Sequence, residues 1–124
     1  MVSIETRTLI LQLVMKCADI NNSARPQRCM ETWAAMVMTE FFNQGDQEKG
    51  LQIEVSKGFD RETTSIPTVQ AGFIGFCVQP LFQALANLVP CDATQLTLAL
   101  LSENLARWKE RQAEVAAQKA ADNA

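Results

Sequence analysis

Lys16-Cys17-Ala18-Asp19-Ile20-Asn21-Asn22 places one short acid between apolar neighbours, at the point where a helical pattern runs out and turn chemistry begins. Upstream of it, Ile4, Leu9, Ile10, Leu13, Val14 and Cys17 recur at three- and four-residue steps. That spacing predicts a helix with one buried stripe, starting at Ser3 as N-cap and ending at Asp19. An ionised carboxylate beside a core costs free energy unless it is paired, hydrogen-bonded or bound to a cation. Asp19 therefore reads either as a cap or turn residue or as a metal ligand, and the heptapeptide alone accommodates both.

Downstream, Asn21-Asn22-Ser23 supplies a turn and Pro26 fits the first turn of a second helix, where its missing N–H is not needed. This helix is expected to run to about Gln44, with Cys29, Met30, Trp33, Val37, Phe41 and Phe42 as its stripe and Met36 and Met38 widening it. Gly45-Asp46-Gln47-Glu48-Lys49-Gly50 breaks the pattern. The mostly polar segment to about Ser65, including residues 50–59, reads as an ordered surface loop, either functional or a simple connector. A third helix opens at Ile66-Pro67, with Phe73, Cys77, Leu81, Leu85 and Leu88 on one face, and Pro80 should kink or unbond it before Pro90 ends it. Asp92 and Gln95 suggest a capping box for a fourth helix that carries Leu98, Leu101, Leu105 and Trp108 inward. Beyond about Arg111 the Ala-rich polar stretch 112–124 is expected to be a fraying helix or disordered tail.

The expected architecture is thus all-α with four main helices. Of 124 residues 48% are apolar, enough for one core, and no apolar run approaches the length expected to cross a bilayer. The N-terminal residues lack the pattern of a secretory signal. Four cysteines without CxxC spacing fit a reduced, intracellular and cytoplasmic setting. A net charge of −3 argues against a nucleic-acid or anionic-membrane partner. Histidine is absent, which removes the commonest neutral metal ligand and the usual acid or base near neutral pH.

Several blocks taken together carry a resemblance: Lys16-Cys17-Ala18-Asp19-Ile20-Asn21-Asn22, Glu40-Phe41-Phe42-Asn43-Gln44-Gly45-Asp46-Gln47-Glu48, Asp60-Arg61-Glu62-Thr63, Ile66-Pro67, Gln70-Ala71-Gly72-Phe73-Ile74 and Pro80-Leu81-Phe82. In order and spacing they resemble the C-terminal part of the class I 3′,5′-cyclic nucleotide phosphodiesterase catalytic domain. The likeness implies that residues 1–111 are part of a larger all-helical domain that hydrolyses cAMP, cGMP or both to 5′-monophosphates, using two divalent metal ions, zinc and magnesium. It implies that Asp19 is the metal-ligand carboxylate contributed by this part and faces the substrate. It further implies that Gln70 holds the purine ring, that Phe73 stacks on the base with Val37 closing the other side, and that Asn22 contacts the base.

A primary amide suits the task given to Gln70, since its donors and acceptor can pair bidentately with a purine edge. Ser23 stands where the family commonly has proline, Val69 where it often has serine, and residues 50–59 lack the usual Pro-containing segment. The His-Asn-x-x-His and His-Asp motifs that supply the general acid and most ligands have no counterpart in this chain, so no catalytic residue is expected within it. The isolated chain is expected to be inactive, to bind metal weakly at most, and to need the N-terminal part of a catalytic domain or a homologous chain as partner. The alternative is a non-catalytic helical interaction module or truncated regulatory product.

Overall fold

The computed structural model describes residues 3–122, and all regular structure within them is helical. Helix α1 spans Ile4–Asp19, and its start is fixed by Ser3, whose Oγ accepts the Thr6 N–H at 3.1 Å. A 3₁₀ turn, Asn21–Ala24, leads through Pro26 into α2, Gln27–Gly50. After the segment 51–65 come α3, Ile66–Phe73, a π-helical turn, Ile74–Val78, and α4, Gln79–Leu88. These three form one continuous rod, Ile66–Leu88. Helix α5 spans Asp92–Asp122.

The core lies where the rod crosses α5 over the 3₁₀ turn. Ala71, Ile74, Val78 and Phe82 pack with Leu101 and Trp108 of α5, Met30 and Ala34 of α2, Cys17 of α1 and Ala24 of the turn. Burying each large apolar side chain here stabilises the fold by about 1.5–3 kcal/mol. Burial also pushes the Cys17 thiol above its usual range, because the thiolate is poorly solvated there.

The inward face of the rod lies one register from the sequence expectation, whereas on α2 the expected Met30 and Met38 are buried. On the rod the buried line is Ala71, Ile74, Val78, Phe82 and Ala86, whereas Phe73, Cys77 and Leu88 are exposed. On α2 it is Met30, Ala34 and Met38, whereas Cys29, Trp33 and Met36 face outward. Small residues are part of these inward lines, Ala34, Ala71 and Ala86 among them, a signal that a search for large apolar residues passes over. Only Cys17 of the α1 stripe is buried, and Ile4, Leu9 and Val14 are exposed.

Helix ends also differ. Helix α2 does not stop at Gln44 but continues for six further residues to Gly50. It closes two residues later, with Gln52 in the left-handed region at φ 58° and with N–H bonds from Gln52 to Lys49 O and from Ile53 to Glu48 O. This is a Schellman closure carried by a non-glycine residue. Gly45 lies buried inside the helix because the loop returns over it: a Cβ there would collide with the Phe59 carbonyl oxygen and lie 2.8 Å from its carbon.

Pro80 acts as expected on its helix. It cannot donate, and the chain widens into the π-helical turn just before it, with the Gln79 N–H reaching back to Ile74 O. The α5 start uses Cys91 and Thr94 rather than Asp92 and Gln95, with the Cys91 N–H donating to Thr94 Oγ1 at 3.1 Å. Helix α5 then continues past Arg111 to Asp122 without a break. The rod is, by length and composition, apolar enough to cross a membrane, which corrects the sequence expectation. Its apolar character has a local cause, since one face is core and the other flanks the grooves described next.

Candidate functional site

Two hollows share a wall on the face formed by the 3₁₀ turn, α2 and the start of the rod. The larger, about 590 Å³, is lined by Ala18, Asp19, Asn21, Asn22, Arg25, Cys29, Trp33 and Val37. The smaller, about 120 Å³, is lined by Asn22, Ala34, Val37, Phe41, Val69, Gln70 and Phe73. Asn22 and Val37 line both, so they form the partition between them. The five residues singled out in the sequence thus fall on one continuous surface: Asp19 in the large hollow, Gln70 and Phe73 in the small one, Asn22 and Val37 between.

Their surroundings differ sharply. The Asp19 side chain is 73% exposed and its nearest cation is Lys16, with Nζ at 4.0 Å. Gln70 is only 6% exposed, and its carboxamide makes no hydrogen bond to any described residue. An amide with free donors and acceptor lining a hollow, beside apolar Val37, Phe41 and Phe73, is suited to a flat ligand with polar edges. Phe73, 37% exposed, presents a ring at the mouth of that hollow.

The loop 51–65 supports the far wall. Phe59 stacks on Phe41 with ring centroids 4.3 Å apart and planes 9° from parallel. Beyond it Lys57, Gly58, Phe59, Gly72, Phe73 and Phe76 help to line a further apolar groove. Gly58, at φ +87°, is in the left-handed region that glycine tolerates.

The loop is fastened to the last turns of α2 by charge. Lys49 Nζ reaches Asp60 at 2.8 Å and Glu62 at 3.0 Å, and Arg61 pairs with Asp46. The Glu48 carboxylate accepts the Ser56 N–H at 2.7 Å and its hydroxyl at 2.9 Å. Hydrogen bonds from Gln44 and Ser56 hold the Glu48 carboxyl below the usual range, and Lys49 does the same for Asp60. The sequence Gly45 to Gly50, expected to break the helix, is in fact the plate to which this loop is bolted.

One residue that the sequence pattern did not single out holds the opposite wall. Asn104, 1% exposed on α5, donates both Nδ2 protons to the 3₁₀ turn, to Ser23 O at 2.9 Å and Arg25 O at 2.8 Å. The same helix reaches α2 through Trp108, whose indole N–H meets Met30 Sδ at 3.1 Å, and through an Arg111–Glu31 ion pair. The only signal available in the sequence was a polar residue at the core register between Leu101 and Trp108.

Residues 2–99 match the family described as 3′5′-cyclic nucleotide phosphodiesterase, most of the chain. The chain belongs to that family. Among curated phosphodiesterases it is 37% identical over 105 residues to 3′,5′-cyclic-AMP phosphodiesterase 4C of Mus musculus, a match covering 85% of this chain and 15% of the mouse protein. It is 38% identical over 98 residues to the Drosophila melanogaster 3′,5′-cyclic-AMP phosphodiesterase, isoform F, covering 79% of this chain and 15% of the fly protein. A phosphodiesterase structure, LmjPDEB1 in complex with IBMX, superposes with a TM-score of 0.80 at 28% identity, over 90% of this chain and 33% of that one. The chain therefore spans about one-seventh of the length of those two curated relatives and corresponds to a fragment of the family's all-helical domain.

A metal centre does not fit the described residues on their own. No group of three or more Asp, Glu, Cys or His side chains among them converges on a point, and of these residue types only Asp19 and Cys29 line the larger hollow. A divalent site of the zinc type needs three or four protein ligands.

Proposed function

We propose that this chain is the nucleotide-binding wall of a domain that hydrolyses 3′,5′-cyclic nucleotides, cAMP or cGMP, to 5′-monophosphates. The observation that carries the reading is the carboxamide of Gln70, a residue only 6% exposed, without a protein partner among the described residues and lining a narrow apolar hollow that adjoins the one holding Asp19. In this reading Gln70 hydrogen-bonds the base, Phe73 and Val37 hold its faces, and Asn22 bonds its edge. Asp19 is the single carboxylate that residues 1–111 contribute to two divalent ions, zinc and magnesium, completed by ligands from the rest of the domain. Because the residues here do not build that centre, no step of the hydrolysis is assigned to them. The family and the free thiols support an intracellular, cytoplasmic setting for the domain.

The purified chain, assayed with cAMP and cGMP in the presence of zinc and magnesium, should give no turnover above a buffer blank. Addition of cAMP should shift the NMR signals of Asn22, Val37, Gln70 and Phe73. Turnover would refute the inactive-fragment part of the proposal, and unmoved signals would refute the nucleotide wall.

The exposed apolar surface of α1, with Ile4 81%, Leu11 65% and Met15 70% exposed, favours a second reading: a helical interaction module that binds a phosphodiesterase domain or another partner. A module evolved to stand alone should unfold cooperatively as a monomer. A piece whose cover is the remainder of its domain should bind hydrophobic dye and self-associate.

A further inference from the structure

We infer that Asn104 is a positioning residue for the nucleotide wall, acting from outside both hollows by fixing the 3₁₀ turn that carries Asn21, Asn22 and Arg25. The inference rests on the nucleotide-wall reading for its functional meaning, and on geometry alone for its mechanism. The turn lies between the end of α1 and the start of α2, and three of its neighbouring side chains, Asn21, Asn22 and Arg25, line the hollow that holds Asp19. A four-residue 3₁₀ segment has poor hydrogen-bond geometry of its own. Within this one the local backbone bond from the Arg25 N–H to Asn22 O is long, at 3.4 Å, as is the side-chain bond from Arg25 Nε to Asn21 Oδ1, also 3.4 Å. Two shorter bonds reach the turn from Asn104, 79 to 81 positions along the chain, at 2.8 and 2.9 Å.

The choice of side chain follows from the two acceptors. Ser23 O and Arg25 O lie two residues apart, and only a group with two donors on one atom or fork can serve both from a single short stem. A carboxamide does so without bringing charge into a site that is 1% exposed. Leu would fill a similar volume and leave two carbonyls without partners. Asp would keep the shape and replace both donors with acceptors. Ser23, also 1% exposed, offers no compensation, since its hydroxyl has no hydrogen-bond partner. Asn22, on the partition between the hollows, is the residue whose placement depends on this arrangement.

The test uses the whole 124-residue chain and its Asn104→Leu and Asn104→Asp variants, read by amide hydrogen exchange in NMR spectra. In both variants the amides of Asn22 to Arg25 should exchange about tenfold faster or more, while those of Ile74 and Val78 in the rod change by less than about twofold. The Trp33 indole signal should move as well, because that ring lines the same hollow. Equal acceleration at both places would make Asn104 a general stabiliser and overturn the inference, as would an unaltered turn.

If a variant fails to fold, the unsubstituted chain still decides. Both Nδ2 protons of Asn104 should exchange slowly, at rates like that of the Arg25 amide, and exchange at the solvent rate would overturn the inference. Adding cAMP to the unsubstituted chain judges the nucleotide reading separately. Absent shifts at Gln70 and Phe73 would defeat that reading and leave the turn result standing on its own.

Discussion

The 3₁₀ turn Asn21–Ala24 and the loop 51–65 form opposite edges of one surface, yet they are held by opposite means. The turn sits over a core and is tied to α5 by a neutral, buried carboxamide. The loop lies on the outside of α2 and is bonded mainly by carboxylates and cations that remain largely in water. Buried neutral bonds are insensitive to salt and pH, whereas exposed ion pairs are screened and titrate. The turn should therefore keep one geometry across conditions, and the loop should be the part that moves.

The largest effect should come from removing the floor beneath the turn. Leu101 is 1% exposed in the core cluster, so Leu101→Ala should cost about 2–5 kcal/mol in a urea titration. Leu9→Gln, on the exposed face of α1, should shift stability by no more than about 0.5 kcal/mol. Equal costs would show that the core does not lie where the rod meets α5.

A smaller effect is expected where the loop crosses α2. Gly45→Ala gains helix propensity but drives a Cβ into the Phe59 carbonyl, and the collision should win, for a net cost of about 1–3 kcal/mol. The Phe41–Phe59 ring stack should be lost with it, which a loss of ring-current shifts would report. A stabilised variant with the stack intact would mean that the loop does not rest on the helix.

The smallest effect is the one that separates the two regions by pH. Glu48 and Asp60 titrate below their ordinary values in the folded chain, so the stability they contribute is present above about pH 4 and is lost as pH falls through their lowered values. Amide exchange at Ser56 and Glu62 should rise in acid before exchange at Asn22 to Arg25 does, and high salt should act on the loop in the same way. Simultaneous release of both would erase the distinction.

Much of this molecule was legible in its letters, and the exceptions have identifiable causes. The helical class, Ser3 as N-cap, the break at Asn21-Asn22, the distortion ahead of Pro80 and the family all follow from local signals: spacing, caps, proline and motif order. Those signals depend on neighbours within a few residues, which is why they can be read without coordinates.

What only tertiary structure decided were the matters that depend on distant partners. Whether Gly45 ends α2 or admits the loop depended on Phe59, fourteen positions away in sequence. Which face of the rod turns inward depended on the packing of Ala71, Ile74, Val78 and Phe82 with Leu101 and Trp108 of α5, partners that no local stripe of large apolar residues reveals. That Asn104 governs a turn some eighty residues earlier leaves no local trace, since a hydrogen bond is set by where two chains cross and not by what stands next to either group.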